Sequence, residues 1–337
     1  MWRQSDPLRM TDAYSGLRLQ AVREFAGLNP HGIVVTSGGE PLVEPGHYFE
    51  FCRVAREAGL KSMSVMNGTL TETQEQANDL LTRGADLIAL SLDDAREEVH
   101  DQMRGRRGSW QRTTNCLRML VDARERLGLP RKLHAVLMVC DYNYQRIDEA
   151  YDLVLRQIGA DKLKLNFLMP TISLFSRRDA FWDLHSRNIN VETLMREIEE
   201  CEAEFDLDYN PRWKENLRDY AETLARHHRG EPLRTTGRLC DSPERNLVLE
   251  FGGAMRLCPF PKFPSTPYRE RGDLGRYWYS PEAETVRAEM RQCRDVCGMC
   301  HAYRREPSSR ASAERLLGPR DRTSTTTGSH PTPPSGP

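Results

Sequence analysis

An α/β fold built on parallel strands, closed into a barrel or left open, followed by a small cysteine-rich unit, is what this sequence predicts. Apolar, β-branched runs alternate with segments of helical periodicity along the first half of the chain. The carboxyl ends of those runs carry Gly, Asn, Asp, Ser or Pro, the residues that such sheets place around their ligand sites. Five of the nine cysteines fall in the last third of the chain.

The elements follow in order. Residues 15–28 place Leu17, Leu19, Val22, Phe25 and Leu28 at helical spacing, and Asn29-Pro30-His31-Gly32 ends that helix. The run Ile33-Val34-Val35-Thr36 then reads as a strand buried on both faces. It stops in Ser37-Gly38-Gly39-Glu40-Pro41, where the glycines allow close backbone approach to a ligand and Pro41 fixes the exit. A helix over 47–58 leads to a strand over 62–66 that ends in Asn67-Gly68-Thr69. Thr71 with Gln74 offers a capping box for a helix running to Arg83, and the third strand covers 87–93 and ends in Ser91-Leu92-Asp93. Helices over about 109–127 and 145–158 feed strands over 133–139 and 163–168. Alternation of this kind implies right-handed crossovers and a parallel sheet of five strands, with no strand ahead of the first helix.

Composition narrows the function classes. Lys and Arg number 48 against 49 Asp and Glu, interspersed, so no electrostatic footprint for nucleic acid or an acidic membrane is present. The first residues lack a secretory pattern and no window reads as a membrane span, so a cytoplasmic protein without nucleic-acid or membrane partners is expected. Reduced cysteines then favour metal over disulfides. Cys52, Cys116, Cys140 and Cys201 sit within apolar helix or strand patterns and read as small buried hydrophobes. From residue 306 the composition turns to Ser, Thr, Pro, Gly and Arg, which predicts a disordered tail over 306–337.

The cysteine-rich unit begins at Cys240. Residues 246–251 and 254–258 flank Gly252-Gly253, the pattern of a hairpin that would return Cys258 toward Cys240. Cys293, Cys297 and Cys300 follow in CxxxCxxC spacing. Thiolates so spaced suit either a structural zinc or an iron–sulfur cluster.

Taken together, these motifs resemble the radical S-adenosylmethionine (radical SAM) superfamily, in particular members with a C-terminal SPASM or Twitch extension. Ser37 to Pro41 looks like the family's GGEP motif, and Asn67-Gly68-Thr69 like its third-strand ending. Ser91-Leu92-Asp93, His100-Asp101, Arg104-Gly105 and Gly108-Ser109 are similar to the SLD...HD..RG..GS run of SPASM-type members. Cys240, Gly253 and Cys258 fit their CxnGxxxxC pattern, and Gly272-Asp273-Leu274 with Trp278 resembles the segment before the last cysteines. The resemblance implies a (β/α)6 TIM-like barrel lacking its first strand over 1–170, a helical connector over 171–235 and a SPASM/Twitch domain over 236–305. It implies S-adenosylmethionine held by Gly38, Gly39, Glu40, Asn67, Ser91 and Arg104, with Glu40 on the methionine amino group. It also implies an auxiliary 4Fe-4S cluster on Cys240, Cys258, Cys297 and Cys300, with Cys293 a substitute ligand or spare. Such enzymes generate a 5′-deoxyadenosyl radical that abstracts hydrogen from a peptide or small molecule, and draw electrons from a donor such as flavodoxin or ferredoxin.

One departure bears on activity. The family's own CxxxCxxC follows the first barrel strand, and no cysteine here precedes Cys52. The chain is therefore expected to be N-terminally truncated and inactive as written. The alternative is a non-catalytic protein that carries a 4Fe-4S cluster or zinc on the same fold. The connector's Phe175, Phe181 and Trp182 are candidate pocket residues, with plain packing as the competing role.

Overall fold

The computed structural model describes residues 12–36, 39–168, 185–209, 211–231, 242–250, 252–258 and 262–293. Five strands, β1 (Ile33–Thr36), β2 (Lys61–Met66), β3 (Leu87–Ser91), β4 (Lys132–Val139) and β5 (Lys162–Phe167), form one sheet in the order β1-β2-β3-β4-β5. Every neighbouring pair is parallel. The expected parallel sheet of five strands is therefore present, and each expected strand lies within two residues of its place.

Helices cover one face of that sheet. The crossovers are α2 (Pro45–Glu57), α3 (Gln74–Arg83), α4 (Glu97–Arg104), α5 (Ser109–Leu127) and α6 (Ile147–Tyr151), with α1 (Asp12–Leu28) ahead of β1. Alternate strand residues enter their core: Met66, Ile88, Leu90, Leu92, Leu133, Ala135, Leu137, Val139, Leu163, Leu165 and Phe167 are all buried there. The other face, concave, holds a much smaller apolar cluster of Leu87, Ala89 and Val136 edged by Ile33, Met63 and Val65. Val35 on that face is 51% exposed.

Three local differences from the sequence reading have physical causes. The capping box of α3 uses Thr73 and Gln76, because S/T-x-x-Q spacing occurs twice in succession and only the second pair makes both reciprocal bonds. The helix before β5 continues past α6 as a π-helix over Asp152–Ile158. Helix α4 was not anticipated; its signals are Glu97 and Glu98 in the first turn and Gly105 in the left-handed conformation after the last.

The amino ends of the strands are clamped by carboxylates. Asp86 accepts from Ser62 N and Oγ at 2.9 and 3.1 Å and meets Arg131 Nη1 at 2.8 Å. Asp161 accepts from Leu133 N and from Arg124 Nη1, both at 2.7 Å. These ties fix the register of β2, β3, β4 and β5 from below, opposite the rim described next.

Beyond the sheet, α7 (Val191–Glu204) and α8 (Pro211–His228) add Leu194, Met195, Ile198, Leu217 and Leu224 to the main core. Residues 242–293 form a smaller unit. It contains α9 (Ser242–Arg245), a three-stranded antiparallel sheet of β6 (Val248–Leu249), β7 (Ala254–Arg256) and β8 (Thr266–Pro267), then α10 (Asp273–Trp278) and α11 (Pro281–Arg291). The expected hairpin is β6 and β7, turning at Gly252 and Gly253 with φ of 92° and 85°; β8 is a third strand too short to show a period in the sequence. The unit docks on α1, where Glu24 accepts from Gly272 N at 2.8 Å, Gly275 N at 2.9 Å and Tyr268 Oη at 3.1 Å. Among the described residues no helix is long and apolar enough to cross a membrane.

Candidate functional site

Polar side chains converge on the carboxyl rim of the sheet. After β1 the chain turns into a single 3-10 turn over Pro41–Val43, and Pro41 directs Glu40 across to the end of β2. Glu40 Oε2 accepts from Asn67 N at 2.8 Å, and Oε1 accepts from Leu42 N at 3.4 Å. Burial raises the Glu40 pKa, opposed by those two amides and by the charge of Arg104. A carboxyl in that state is stabilised by a cation.

Asn67 is shaped by its own loop. Its Oδ1 accepts from Thr69 N and Oγ1 at 2.7 and 2.8 Å, while its carbonyl accepts from Thr113 Oγ1 at 2.7 Å. Gly68 follows with φ of 75°, and a Cβ there would lie 3.1 Å from Leu90 Cδ1. The side chain of Asn67 is thus committed to the turn, and only its amide serves Glu40.

The Asp93 turn is held on four sides. Asp93 N donates to His100 Nδ1 at 3.1 Å, and the Asp93 carbonyl accepts from Asn143 Nδ2 at 2.7 Å. Asp93 Oδ1 accepts from Met138 N at 3.3 Å. Asp93 Oδ2 lies 2.6 Å from Arg104 Nε, an ion pair whose angle does not align as a hydrogen bond. His100 is fully buried, and its Nε2 faces Ser109 Oγ at 3.1 Å. Because Nδ1 must accept, the ring is the neutral Nε2–H tautomer, and burial accordingly pulls its pKa down to about 4. Asp101 caps the start of α5, accepting from Gly108 N at 2.5 Å and Trp110 N at 2.8 Å. The run from Ser91 to Ser109 is therefore one folded device: His100, Asp101 and Ser109 brace the turn that carries Asp93 and Arg104.

Asn143, absent from the sequence-stated candidates above, is the hub of that brace. It also donates to the Met138 carbonyl at 3.0 Å and accepts from Cys140 N at 2.9 Å. Its signal in the sequence was its place after β4 in Asp141-Tyr142-Asn143, a strand ending like the others.

Of the expected cofactor residues, Glu40, Asn67 and Arg104 therefore meet through Asn67 N and through the field of Arg104. Ser91 closes β3 in register with Val136, half-buried on the concave face. Gly39 is exposed beside Glu40, and Gly38 lies outside the described residues. Of the expected metal ligands, Cys258 and Cys293 both pack against the second core cluster, and Cys293 Sγ receives Lys262 Nζ at 3.5 Å. Cys240, Cys297 and Cys300 lie outside the described residues, as do Phe175, Phe181, Trp182 and the tail over 306–337. Cys52, Cys116, Cys140 and Cys201 are buried. Burial raises the pKa of Cys52 to about 11 and of the other three to about 12, which keeps them as inert thiols. Among the described residues no group of three or more His, Cys, Asp or Glu is arranged to hold a metal ion.

Comparison with known proteins locates this geometry. An AdoMet-dependent heme synthase from Methanosarcina barkeri is 33% identical over 139 residues, 41% of this chain and 37% of that protein. A second, from Oleidesulfovibrio alaskensis, is 30% identical over 91 residues, 27% of this chain and 23% of that protein. The chain thus matches little more than a third of the first relative's length and less than a quarter of the second's. The structure of native anSMEcpe with bound AdoMet superposes with a TM-score of 0.57 at 12% identity, over 82% of this chain and 73% of that one. The same enzyme with AdoMet and the Cp18Cys peptide gives 0.52 at 13% identity, over 82% and 74%. At that identity the likeness is one of fold. The model of the Radical SAM superfamily matches residues 18–154, from α1 into the π-helix, so the segment that builds β1 to β4 and their rim is similar to that superfamily.

Proposed function

We propose that the rim of the sheet binds S-adenosylmethionine, with Glu40 as the partner of its methionine ammonium and Ser91 and Arg104 flanking it. The observation that carries this reading is the state of Glu40: a half-buried carboxyl with a raised pKa, short of partners, at the end of a parallel strand. Gly39 leaves space beside it, since a Cβ there would meet nothing within 4 Å. Beside a reduced 4Fe-4S cluster such a cofactor would be a source of a carbon radical, and Glu40, Ser91 and Arg104 are the residues of this chain that would hold it. The chain's own residues orient it: Glu40 through the ammonium, Asn67 N by fixing Glu40, and the Asp93 pair by holding Arg104.

The thiolates for that catalytic cluster do not fit this chain. Its first cysteine, Cys52, is fully buried in α2 among core residues. No step through a cluster at the rim is therefore assigned here. Residues 242–293 do fit the start of an auxiliary site, with Cys258 and Cys293 partly exposed at the edge of one small core. We infer a SPASM/Twitch-type unit that takes a 4Fe-4S cluster on Cys258 with Cys240, Cys297 and Cys300, Cys293 being substitute or neighbour. A peptide or a small molecule is the substrate class, in line with the peptide on one structural neighbour and the heme synthases among the relatives.

Titration of S-adenosylmethionine by calorimetry tests the rim. Glu40→Gln removes a charge-assisted hydrogen bond of about 1.5–3 kcal/mol, so binding is expected to weaken by about tenfold to a hundredfold. Equal binding by wild type and Glu40→Gln refutes the assignment. Anaerobic reconstitution tests the second site: iron with sulfide supports it, and stoichiometric zinc without iron overturns it. The buried Cys52 favours a second reading, a non-catalytic cluster carrier on the same fold. CxxxCxxC in the codons that precede Met1 would refute that reading.

A further inference from the structure

On the helical side of the sheet a cavity of about 520 Å³ opens between α5, the π-helix and the end of α7. Its apolar wall is Ala95, Trp110, Leu153 and Phe205. Phe205 already carries the Arg156 guanidinium 4.3 Å from its ring centroid, whereas the half-buried Trp110 ring has no aromatic or cationic partner among the described residues. The Trp110 Nε1–H is also buried without a hydrogen-bond partner, so no bond locks the ring in place. The π-helix, a rare form that is frequent at functional sites, supplies Asp152, Leu153 and Gln157 to the same wall.

Five charged side chains line the cavity, and three of them are already engaged. Glu149 meets Arg146 at 2.9 Å and Glu204 meets Arg156 at 2.8 Å. Asp152 accepts from Gln157 Nε2 at 2.7 Å and lies 3.5 Å from Arg156. The two left over, Arg118 and Asp148, have opposite sign. Neither makes a side-chain hydrogen bond or ion pair among the described residues, with the other or with any third group. They line one space from separate walls, Arg118 on α5 and Asp148 on α6. The Asp148 wall is the more negative, because Glu197 lies near it, with a pKa raised first by burial and then by the Asp148 charge. The acid nearest Arg118 along α5 is Asp122, one turn on, and it lies 3.9 Å from Arg126.

A sphere of that volume is about 10 Å across, the size of a small-ligand pocket. An α-amino acid holds its ammonium and carboxylate about 3 Å apart, and a hydrogen bond of about 2.8 Å at each end lets it join groups about 6–9 Å apart. We propose that this cavity binds a free α-amino acid with an apolar side chain, its carboxylate on Arg118, its ammonium on Asp148 and its side chain against Trp110 and Leu153. A ligand with a single charge leaves one of the two lining groups unmatched. Arginine suits the carboxylate end, since its planar fork can take both oxygens. The inference goes beyond the rim reading and does not depend on it, for none of Glu40, Asn67, Ser91 and Arg104 lines the cavity.

The test uses the full chain and three probes that share one ring: L-phenylalanine, phenethylamine and 3-phenylpropanoate. Binding is followed by calorimetry and by tryptophan fluorescence, with Trp110→Phe to assign the signal. Phenylalanine is expected to bind and change the fluorescence, and each single-charge analogue to bind about threefold to fivefold more weakly, as for exposed ion pairs. Arg118→Met should weaken phenylalanine and 3-phenylpropanoate by a similar factor and leave phenethylamine within about twofold, and Asp148→Asn should spare 3-phenylpropanoate instead. Both side chains are exposed, so the variants keep the fold, which their urea midpoints check. No binding of phenylalanine up to its solubility limit, equal binding of the three probes, or a fluorescence change that persists in Trp110→Phe would each overturn the inference. So would loss of phenylalanine binding in Glu40→Gln rather than in Arg118→Met, which would put the amino acid at the rim. Failure of S-adenosylmethionine to bind while phenylalanine still binds sinks the rim assignment alone.

Discussion

Acidification should loosen the Asp93 turn through His100. The ring accepts from Asp93 N at Nδ1, so a proton on that nitrogen replaces a hydrogen bond with a clash of two donors. Burial is the main cause of its low pKa, about 4 against an ordinary 6.5; nearby Asp93, Asp101 and Asp94 push it up, and Arg104 pushes it down. A base whose folded pKa is depressed keeps its contribution above the unfolded pKa and loses it as pH falls through 6.5 toward 4. Between pH 7.5 and 5 the unfolded chain takes up nearly one proton that folded His100 refuses, which amounts to about 2 kcal/mol. His134, depressed to about 4 as well, adds a similar amount in the same window. In His100→Asn the amide oxygen can still accept from Asp93 N, while the partner of Ser109 Oγ is lost, at about 1 kcal/mol. Urea unfolding of both proteins at the two pH values isolates the effect, because all other groups cancel in the difference. Wild type should lose about 2 kcal/mol more than His100→Asn on going to pH 5. Equal losses would show that His100 is not held neutral and would refute the reasoning.

Asn143→Ala removes three buried hydrogen bonds at once and should destabilise the protein by about 2–4 kcal/mol, read as a lowered urea midpoint; less than about 1 kcal/mol would mean that water replaces them. Gly68→Ala sets a side chain at φ of 75° with its Cβ 3.1 Å from Leu90 Cδ1, and should cost about 1–3 kcal/mol in the same assay. Affinity for S-adenosylmethionine should rise with pH until Glu40 has ionised and then level off, since burial raises the pKa of Glu40 and a cation needs the carboxylate. Without ligand the sign is reversed for stability: a carboxyl with a raised folded pKa loses stability as pH rises through it. A flat binding profile, or one that persists in Glu40→Gln, would remove Glu40 from the site.

The centre of the sheet was legible because β3 is buried on both sides: Leu87-Ile88-Ala89-Leu90 leaves no polar period to mislead. For Ile33-Val34-Val35-Thr36 the expected burial on both faces does not hold, since the described helices cover one face and Val35 is left exposed on the other. Glu40 was legible as a carboxylate stranded at a strand end. The role of Asn67 was not, because its side chain and its amide do different work and a sequence shows only the side chain. Asn143 was marked only as part of a strand ending, and its bonding role, like the donor direction at His100, was hidden because both act on backbone groups of Asp93 that lie 50 and 7 residues away. Thr71 and Thr73 offered the same capping spacing, and only the geometry of the first turn chose between them.

The two ends of the sheet differ in how fully their carboxylates are satisfied, and that difference is what separates scaffold from site. At the amino end Asp86 takes two bonds from Ser62 and one from Arg131, and Asp161 takes one from Leu133 N and one from Arg124. Those groups are saturated and would gain little from a ligand. At the carboxyl end Glu40 has one short bond and one long one, and Asp93 has an unaligned ion pair and a 3.3 Å bond to Met138 N. An under-coordinated carboxylate in a half-buried site costs stability that a bound cation returns. On the reading proposed above, a ligand ammonium relaxes this rim, while the clamps below keep the strands from shifting to relax it themselves.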